Sequence, residues 1–480
     1  MSHASSHPAS HGRSIHSPRS VQSRRSFLQW GVAAAAATAA GPVLAACGGS
    51  DGEAGANGQI TLKVMGFEVN PEEKGSPLDK AYKKFLADFQ AEHKNITIDS
   101  IATPPEFDTK IIVDLASGTA PDLWSQDASS LAPLIDRKLL LDMRRCTEKL
   151  PSLDTKRFFP AVLDIHEQED GAIYGLPNDF TPMVVYYNTD LIGKAGLTAP
   201  TAGWTWDDQL ELAKQLTKDG KGRTAADGGF DAADITQWGY RAGQYAYQWV
   251  YRTWQNGGDV LAPDRSTATG YLDSAATLEA LQWYADLVLK HKVSPKPSVL
   301  DSITEKSSFE AEFMAGRFAM FDSGHWSLVG LTAAEGYKPE LLGVAPQPAS
   351  KTDATVLYES SFVIRHDLPE EKIEAAARFV EAATGRSYQD TKAITGIAIA
   401  GNQEAAEASL ANADSQFAGL DPVFVEATAK GRPPSGSQLA KYPTIEGLLD
   451  EMMDRILAGG AVETEAKKTV KLIDQELDAQ

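Results

Sequence analysis

The stretch from Gln59 to Gly118 restricts the fold more than any other part of the chain. The run ITLKVMGF sets Ile60, Leu62 and Val64 at alternate positions, the period of a strand. Leu78, Tyr82, Phe85 and Phe89 follow at spacings of four, three and four, which align them on one side of a helix. Ile96 and Ile98 begin a second strand. A second helix is expected from about Asp108 to Ser117, stopped at Gly118, where the missing Cβ suits a left-handed cap. A β-α-β-α opening implies an α/β fold, a parallel sheet covered by helices on both sides.

The pattern recurs downstream. Met183 to Tyr187 is apolar without alternation, as a fully buried strand requires. Thr205 is placed as the N-cap of a helix with acidic residues in its first turn, expected to end at Gly220. Leu278, Leu281, Ala285 and Val288 mark another amphipathic helix, stopped by Val293-Ser294-Pro295. Glu310 to Ala315 reads as a short helix capped by Gly316 and feeding a strand from Phe318 to Phe321, then a turn at Asp322-Ser323-Gly324. Helices are also expected at Ile373 to Ala383, Ile445 to Leu457 and Glu463 to about Leu477. The Pro/Gly-rich run Gly431 to Gly436 reads as a surface loop.

The amino end stands apart from this body. Arg24 and Arg25 precede a mildly apolar, alanine-rich run from Trp30 to Ala46 that ends in Leu44-Ala45-Ala46-Cys47. An arginine pair, a short apolar region and small residues before a cysteine are the layout of a twin-arginine signal joined to a lipoprotein cleavage site. The competing reading, a membrane anchor, is weakened by Gly41-Pro42 and by the low hydrophobicity of alanine. Residues 1–46 are therefore expected to be a signal peptide, with Cys47 as the lipid attachment site and residues 47–59 as a Gly-rich tether. Four of the nine histidines, His3, His7, His11 and His16, belong to the leader.

With Lys+Arg 45 against Asp+Glu 65, the formal charge is −20, opposite in sign to what a phosphate backbone attracts. Nucleic acid is excluded as a partner on that ground. The chain contains no P-loop, GxGxxG, GxSxG, HExxH or EF-hand pattern. The remaining histidines, His93, His166, His291, His325 and His366, are scattered, and neither a cofactor nor a metal is expected. Carboxylate-pair hydrolysis of a glycoside needs only Asp and Glu, so residue types alone leave it open. Cys146 has no catalytic partners in view and reads as an inert thiol.

Aromatic residues are concentrated instead. Trp238, Tyr240, Tyr245, Tyr247, Trp249, Tyr251 and Trp254 fall within seventeen residues. Sugars present apolar C–H faces and hydroxyl edges, so a sugar site wants flat rings beside carboxylate, amide or hydroxyl groups. Tyr247, Tyr251 and Trp254 are also spaced as the core stripe of a helix. Trp326 differs, because it follows a buried strand and a glycine turn, where open α/β sheets place their ligand crevice.

In order along the chain, Ala116-Ser117-Gly118-Thr119-Ala120-Pro121-Asp122, Tyr174-Gly175-Leu176-Pro177, Tyr186-Tyr187-Asn188-Thr189-Asp190-Leu191, Asn256-Gly257-Gly258, Ala319-Met320 through Gly324 and Trp326, and Ala375 to Ala383 resemble the carbohydrate-binding solute-binding proteins of ABC importers, the group that includes maltose-binding protein. The resemblance covers most of residues 60–480. It implies two α/β lobes joined by crossing strands near Asp179 to Met183, Gly343 to Pro348 and Thr395 to Ala400, with ligand in the cleft. The lobes would be 60–180 with 346–395, and 181–345 with 396–480. By the same resemblance Trp326 is the stacking tryptophan and Asp127 an acid that bonds sugar hydroxyls. Thr181 stands where maltose-binding protein has a binding glutamate, so Asp179 or Asn178 is expected to take over that role. Trp124, Trp254 and Tyr442 complete the candidate contacts. Glu359, with Ser360 and Ser361, replaces a pair of glycines common in relatives, either to accept hydroxyls or to cap the following strand.

The function these readings imply is an exported, lipid-anchored, monomeric receptor on the outer face of the cell membrane, or in the periplasm of a two-membrane cell. It would capture a sugar, an oligosaccharide above all, and hand it to permease subunits driven by a cytoplasmic ATPase. A polyamine or other cation is the alternative ligand, since acidic, aromatic-walled clefts also suit ammonium groups. A secreted glycosidase is the third reading.

Overall fold

The computed structural model describes residues 58–479, apart from 70–73, 105–106, 169, 394, 397 and 413–414 and the side chains of 108 and 109. Arg24, Arg25, Cys47 and the expected leader lie outside the described residues, as does most of the tether. Among the described residues, no helix is long and apolar enough to cross a membrane.

The opening folds as its periodicity requires. Strand β1 (Ile60–Met65) lies between β2 (Ile96–Ile101) and β3 (Leu123–Asp127), parallel to both. The crossover helices are Pro77–Glu92 and Phe107–Ser117. The first begins where Ser76 accepts the Asp79 N–H at 3.1 Å with Pro77 behind it, and it buries Phe85 and Phe89. The second ends at Gly118, whose φ of 75° is the left-handed cap.

Later strands complete this first sheet. Strand β4 (Leu176–Pro182) and the long β10 (Thr355–Ile364) enter antiparallel, β10 lying between β3 and β4. A short β11 (Ile399–Ala400) closes the β4 edge, and β12 (Gly431–Arg432) pairs with the start of β10. Helices Glu370–Ala383 and Arg386–Ala393 cover one face with Pro77–Glu92 through Phe85, Phe89, Phe379 and Tyr388. Met65, Ile111, Trp124 and Leu134 fill the other.

The second sheet is built differently from expectation. Strand β5 (Val184–Asn188) is its centre, flanked antiparallel by β8 (Met320–Ser323) and β9 (Leu342–Ala345), so the β-α-β arrangement of the opening does not recur there. The long excursion after β5 supplies helices rather than parallel strands. Its second helix, Trp206–Leu216, has the Thr205–Asp208 capping box but stops at Thr217, not Gly220. The chain leaves it for a two-stranded ribbon, β6 (Lys218–Asp219) with β7 (Ile235–Gln237). Helices Ala275–Leu289, Tyr442–Ala458 and Val462–Asp478 pack together on this side around Tyr284, Leu281, Met452, Met453 and Ile473.

The chain passes from the first sheet to the second at Met183, between β4 and β5, and returns between Ala345 and Thr355. Two α/β lobes result, and the segments joining them lie side by side: Met183 N–H donates to Val356 O at 3.1 Å, and Thr355 Oγ1 donates to Met183 O at 2.7 Å.

Candidate functional site

Three aromatic rings meet where the lobes face each other. Trp326 follows β8 and opens the helix Ser327–Ala333; Tyr247 lies in the turn before the helix Val250–Gln255; Tyr358 stands on β10 of the opposite sheet. Their centroids are 6.0 to 6.3 Å apart, and each pair meets nearly edge to face, at 76°, 76° and 84°. Tyr245 stacks on Tyr247 at 5.9 Å. All three rings of the cluster are only partly buried.

Acidic groups surround the rings. Tyr442, Glu446 and Asp450 recur every fourth residue along the helix Tyr442–Ala458 and so share one face of it, with the Tyr442 hydroxyl 3.3 Å from Glu446 Oε1. The Tyr358 hydroxyl is held well above the usual tyrosine range, by burial first and then by the charges of Glu446, Asp127 and Asp450, which places carboxylates of both lobes around one ring. Burial also raises Tyr247 and Tyr442. Asp450 is pushed up to about 7 by burial, against the opposing pull of the Ala246 N–H it accepts at 2.6 Å. Asp127 ends β3 and caps the turn Ala128–Ser130, taking Ser129 N–H at 2.8 Å and Ser129 Oγ at 2.6 Å. The helix Tyr442–Ala458 packs against that turn, so the two walls touch.

The candidates from the sequence divide into two groups. Trp326, Asp127 and Tyr442 come together here. Asp179 and Asn178 lie in the first sheet and are engaged with each other: Asp179 pairs with the buried Lys392 and accepts Ser360 Oγ at 2.7 Å, while Lys392 Nζ donates to Asn178 Oδ1 at 2.8 Å. Thr181 is 4% exposed; its hydroxyl donates to Pro182 O at 3.1 Å and accepts the His325 N–H at 2.8 Å, so it supports the Trp326 turn instead of facing ligand.

Three candidates fall outside the cleft. Trp124 is 0% exposed and donates to Gln126 Oε1 at 2.8 Å inside the core beneath the first sheet, because that sheet is covered on both faces and β3 has no open side. Trp254 lies beneath the Arg432 guanidinium, 3.9 Å from its ring centroid, and its indole N–H is taken by Asp259 at 3.0 Å. Glu359 neither caps a strand nor reaches the cleft. Alternation along β10 turns it away from Tyr358, and it meets His166 Nε2 at 2.5 Å with both side chains 0% exposed. Burial raises the Glu359 carboxyl well above its ordinary range, reinforced by the charges of Asp179 and Asp127, and lowers His166 to about 3.

The aromatic run before Trp254 is mostly core. Tyr240 and Tyr251 are buried and donate to Asp322 Oδ2, each at 2.5 Å, beside Arg252 at 2.8 Å. Tyr358, Glu446 and Asp450 were missed by sequence reasoning. The four-residue spacing of Tyr442, Glu446 and Asp450 was the available signal for the last two; nothing local marked Tyr358.

Residues 84–419 match the sequence model of a family described as bacterial extracellular solute-binding protein. Among curated proteins, a binding protein of Brucella abortus is 25% identical over 243 residues, 48% of this chain and 50% of that one. The chain thus spans about half the length of the first curated relatives it matches. An ABC substrate-binding protein of Listeria monocytogenes, solved with cycloalternan, is similar in structure at a TM-score of 0.73 and 22% identity, over 88% of this chain and 100% of that one. The GacH receptor of Streptomyces glaucescens, solved without ligand and with acarbose, gives 0.69 and 19% over 88% and 100%. At these identities the likeness is one of fold.

Proposed function

The chain belongs to the bacterial extracellular solute-binding proteins, and from that premise we propose that it captures a carbohydrate, an oligosaccharide above all, for an ABC importer. The observation that carries the reading is the Trp326, Tyr247 and Tyr358 cluster with carboxylates of both lobes around it. A flat indole offers the surface that a pyranose C–H face needs, and carboxylates accept the hydroxyls at its rim. Asp127 and Glu446 are the acceptors assigned here, since they border the aromatic cluster, whereas Asp179 is paired with the buried Lys392 in the first sheet. Closure of the two lobes over the sugar would exclude water from those hydrogen bonds. Two structural relatives were solved with cycloalternan and with acarbose, which fits this ligand class.

Titration calorimetry of Trp326→Ala against maltotriose and a panel of longer oligosaccharides tests the reading. The variant should lose at least about 2 kcal/mol of binding, roughly thirtyfold, while its melting temperature stays within a few degrees of the parent. Unchanged affinity would remove Trp326 from the site.

The carboxylates favour a cationic solute as the second reading. Affinity for a cation should fall steeply with added salt, whereas that for a neutral sugar should hold.

The same proposal places the receptor outside the cell as a monomer, exported through the Arg24-Arg25 signal and held by a lipid on Cys47. From there it would deliver sugar to permease subunits coupled to a cytoplasmic ATPase. The lobes are assigned as 60–180 with 346–395, and 181–345 with 396–480. Palmitate labelling of the protein in cells, abolished in Cys47→Ala, is the result expected for the anchor; labelling that persists in the variant would reject it.

A further inference from the structure

The tryptophan at the centre of the proposed site is preceded by a histidine with no face in the cleft. His325 is 1% exposed, and each of its polar atoms is held by a different segment. Its N–H donates to Thr181 Oγ1 at 2.8 Å, at the end of β4 where the chain is about to cross between sheets. Its carbonyl accepts the Leu328 N–H at 2.9 Å, in the helix that Trp326 opens. Ring Nδ1 lies 3.0 Å from Gly396 O, in the segment leading into β11, and Nε2 lies 2.9 Å from Asp421 Oδ1 on the helix Asp421–Thr428. Phe417 and Phe424 close on the ring edge to face, at 5.8 and 4.8 Å.

The residue on the other side is held too. Tyr186 of β5 donates to Gly324 O at 2.9 Å, and the Trp326 ring lies so near Gly324 that a Cβ there would come within 2.3 Å of it. A tryptophan on an unsupported turn would sample several rotamers and lose that freedom on binding, at a cost of about 1 kcal/mol. Here its backbone is tied through one neighbouring residue to the end of β4, beside the crossing at Met183, to the segment leading into β11 and to the helix Asp421–Thr428.

We propose that His325 is a positioning residue: through Thr181, Gly396 and Asp421 it fixes the Trp326 platform to the end of β4 beside the crossing at Met183, to the segment entering β11 and to the helix Asp421–Thr428, so that platform orientation follows the placement of these elements. The proposal rests on the reading that Trp326 carries ligand, yet the orientation of the ring can be measured without any ligand.

Fluorine NMR of protein labelled with 5-fluorotryptophan reads it directly, with the Trp326 resonance assigned by its loss in Trp326→Phe. In the parent, Trp326 should give one narrow line. In His325→Asn and Asp421→Asn that line should shift or broaden while the other tryptophan lines stay in place, and maltotriose affinity should fall about tenfold. Should either variant fail to fold, Thr181→Val and Thr181→Ser decide. The valine removes the acceptor for the His325 N–H and should perturb the Trp326 line; the serine keeps it and should restore the parent line. An unmoved Trp326 line in Thr181→Val or His325→Asn overturns the proposal, and so does a uniform shift of all lines, which marks general loosening. If maltotriose moves no line in the parent, the ligand assignment is in question, while the comparison of variants still decides the role of His325.

Discussion

Asp450 shows how a single side chain in the cleft ties stability to pH. Burial pushes its carboxyl up to about 7, above the ordinary value near 4 that it regains on unfolding. Between those values the folded chain holds a proton that the unfolded chain has released, so stability falls as pH rises from about 4 to about 7. Asp450→Asn should remove that slope. Urea unfolding at pH 5 and pH 7.5 should show the variant gaining on the parent at the higher pH by up to about 2.5 kcal/mol, since about two of the three pH units of the fall lie between those readings. A parallel pH dependence in the two proteins would contradict it. Glu359 belongs to the same class of buried acid but serves a different end. Its partner His166 lies 193 positions away, so no local pattern could reveal that the carboxyl was destined for an interior pair. The thiol of Cys146, also fully buried, is pushed up to about 12, chiefly by burial, in keeping with an inert residue.

At the scale of elements, the turn after β8 is where local sequence and the proposed site coincide. Gly324 is needed there because of contact, since the Trp326 ring occupies the space a side chain would take. Gly324→Ala should therefore displace the indole, weakening sugar binding by about 1–3 kcal/mol in calorimetry with a smaller loss in unfolding free energy. Equal losses in both measurements would mean that the glycine serves packing alone. Caps and periodicity made most helices legible: Thr205 with its acidic first turn, and Gly118 and Gly316, mark ends that the structure contains. Strand burial was less informative. Trp124 and Trp326 both follow apolar strand residues, and only the glycine turn before Trp326 separates a residue on a core strand from one at a crevice. Trp254 could not be told from a ligand contact, because its cover, Arg432, arrives from a distant segment. The second sheet misled for a related reason: a buried strand reads the same whether its neighbours run parallel or antiparallel.

For the molecule as a whole, the touching walls define what binding must do. The helix Tyr442–Ala458 packs on the turn that Asp127 caps, so a sugar lodged between these walls, as proposed, would have to part them. Small-angle scattering of the free protein and of its maltotriose complex should show a smaller radius of gyration with ligand, as hinge closure requires. Identical profiles would mean that the lobes do not swing. The order of strands has a separate consequence. β10 lies between β3 and β4 in the first sheet, yet it is synthesised some 230 residues after β3. At usual translation rates the edges of β3 and β4 would wait roughly 10 to 45 s for their shared partner. Unpaired edges of that kind recruit foreign strands. The nascent chain is thus exposed to aggregation for about half of its synthesis, and a chaperone that shields the emerging β3 and β4 should raise the yield of folded protein more than one acting after release.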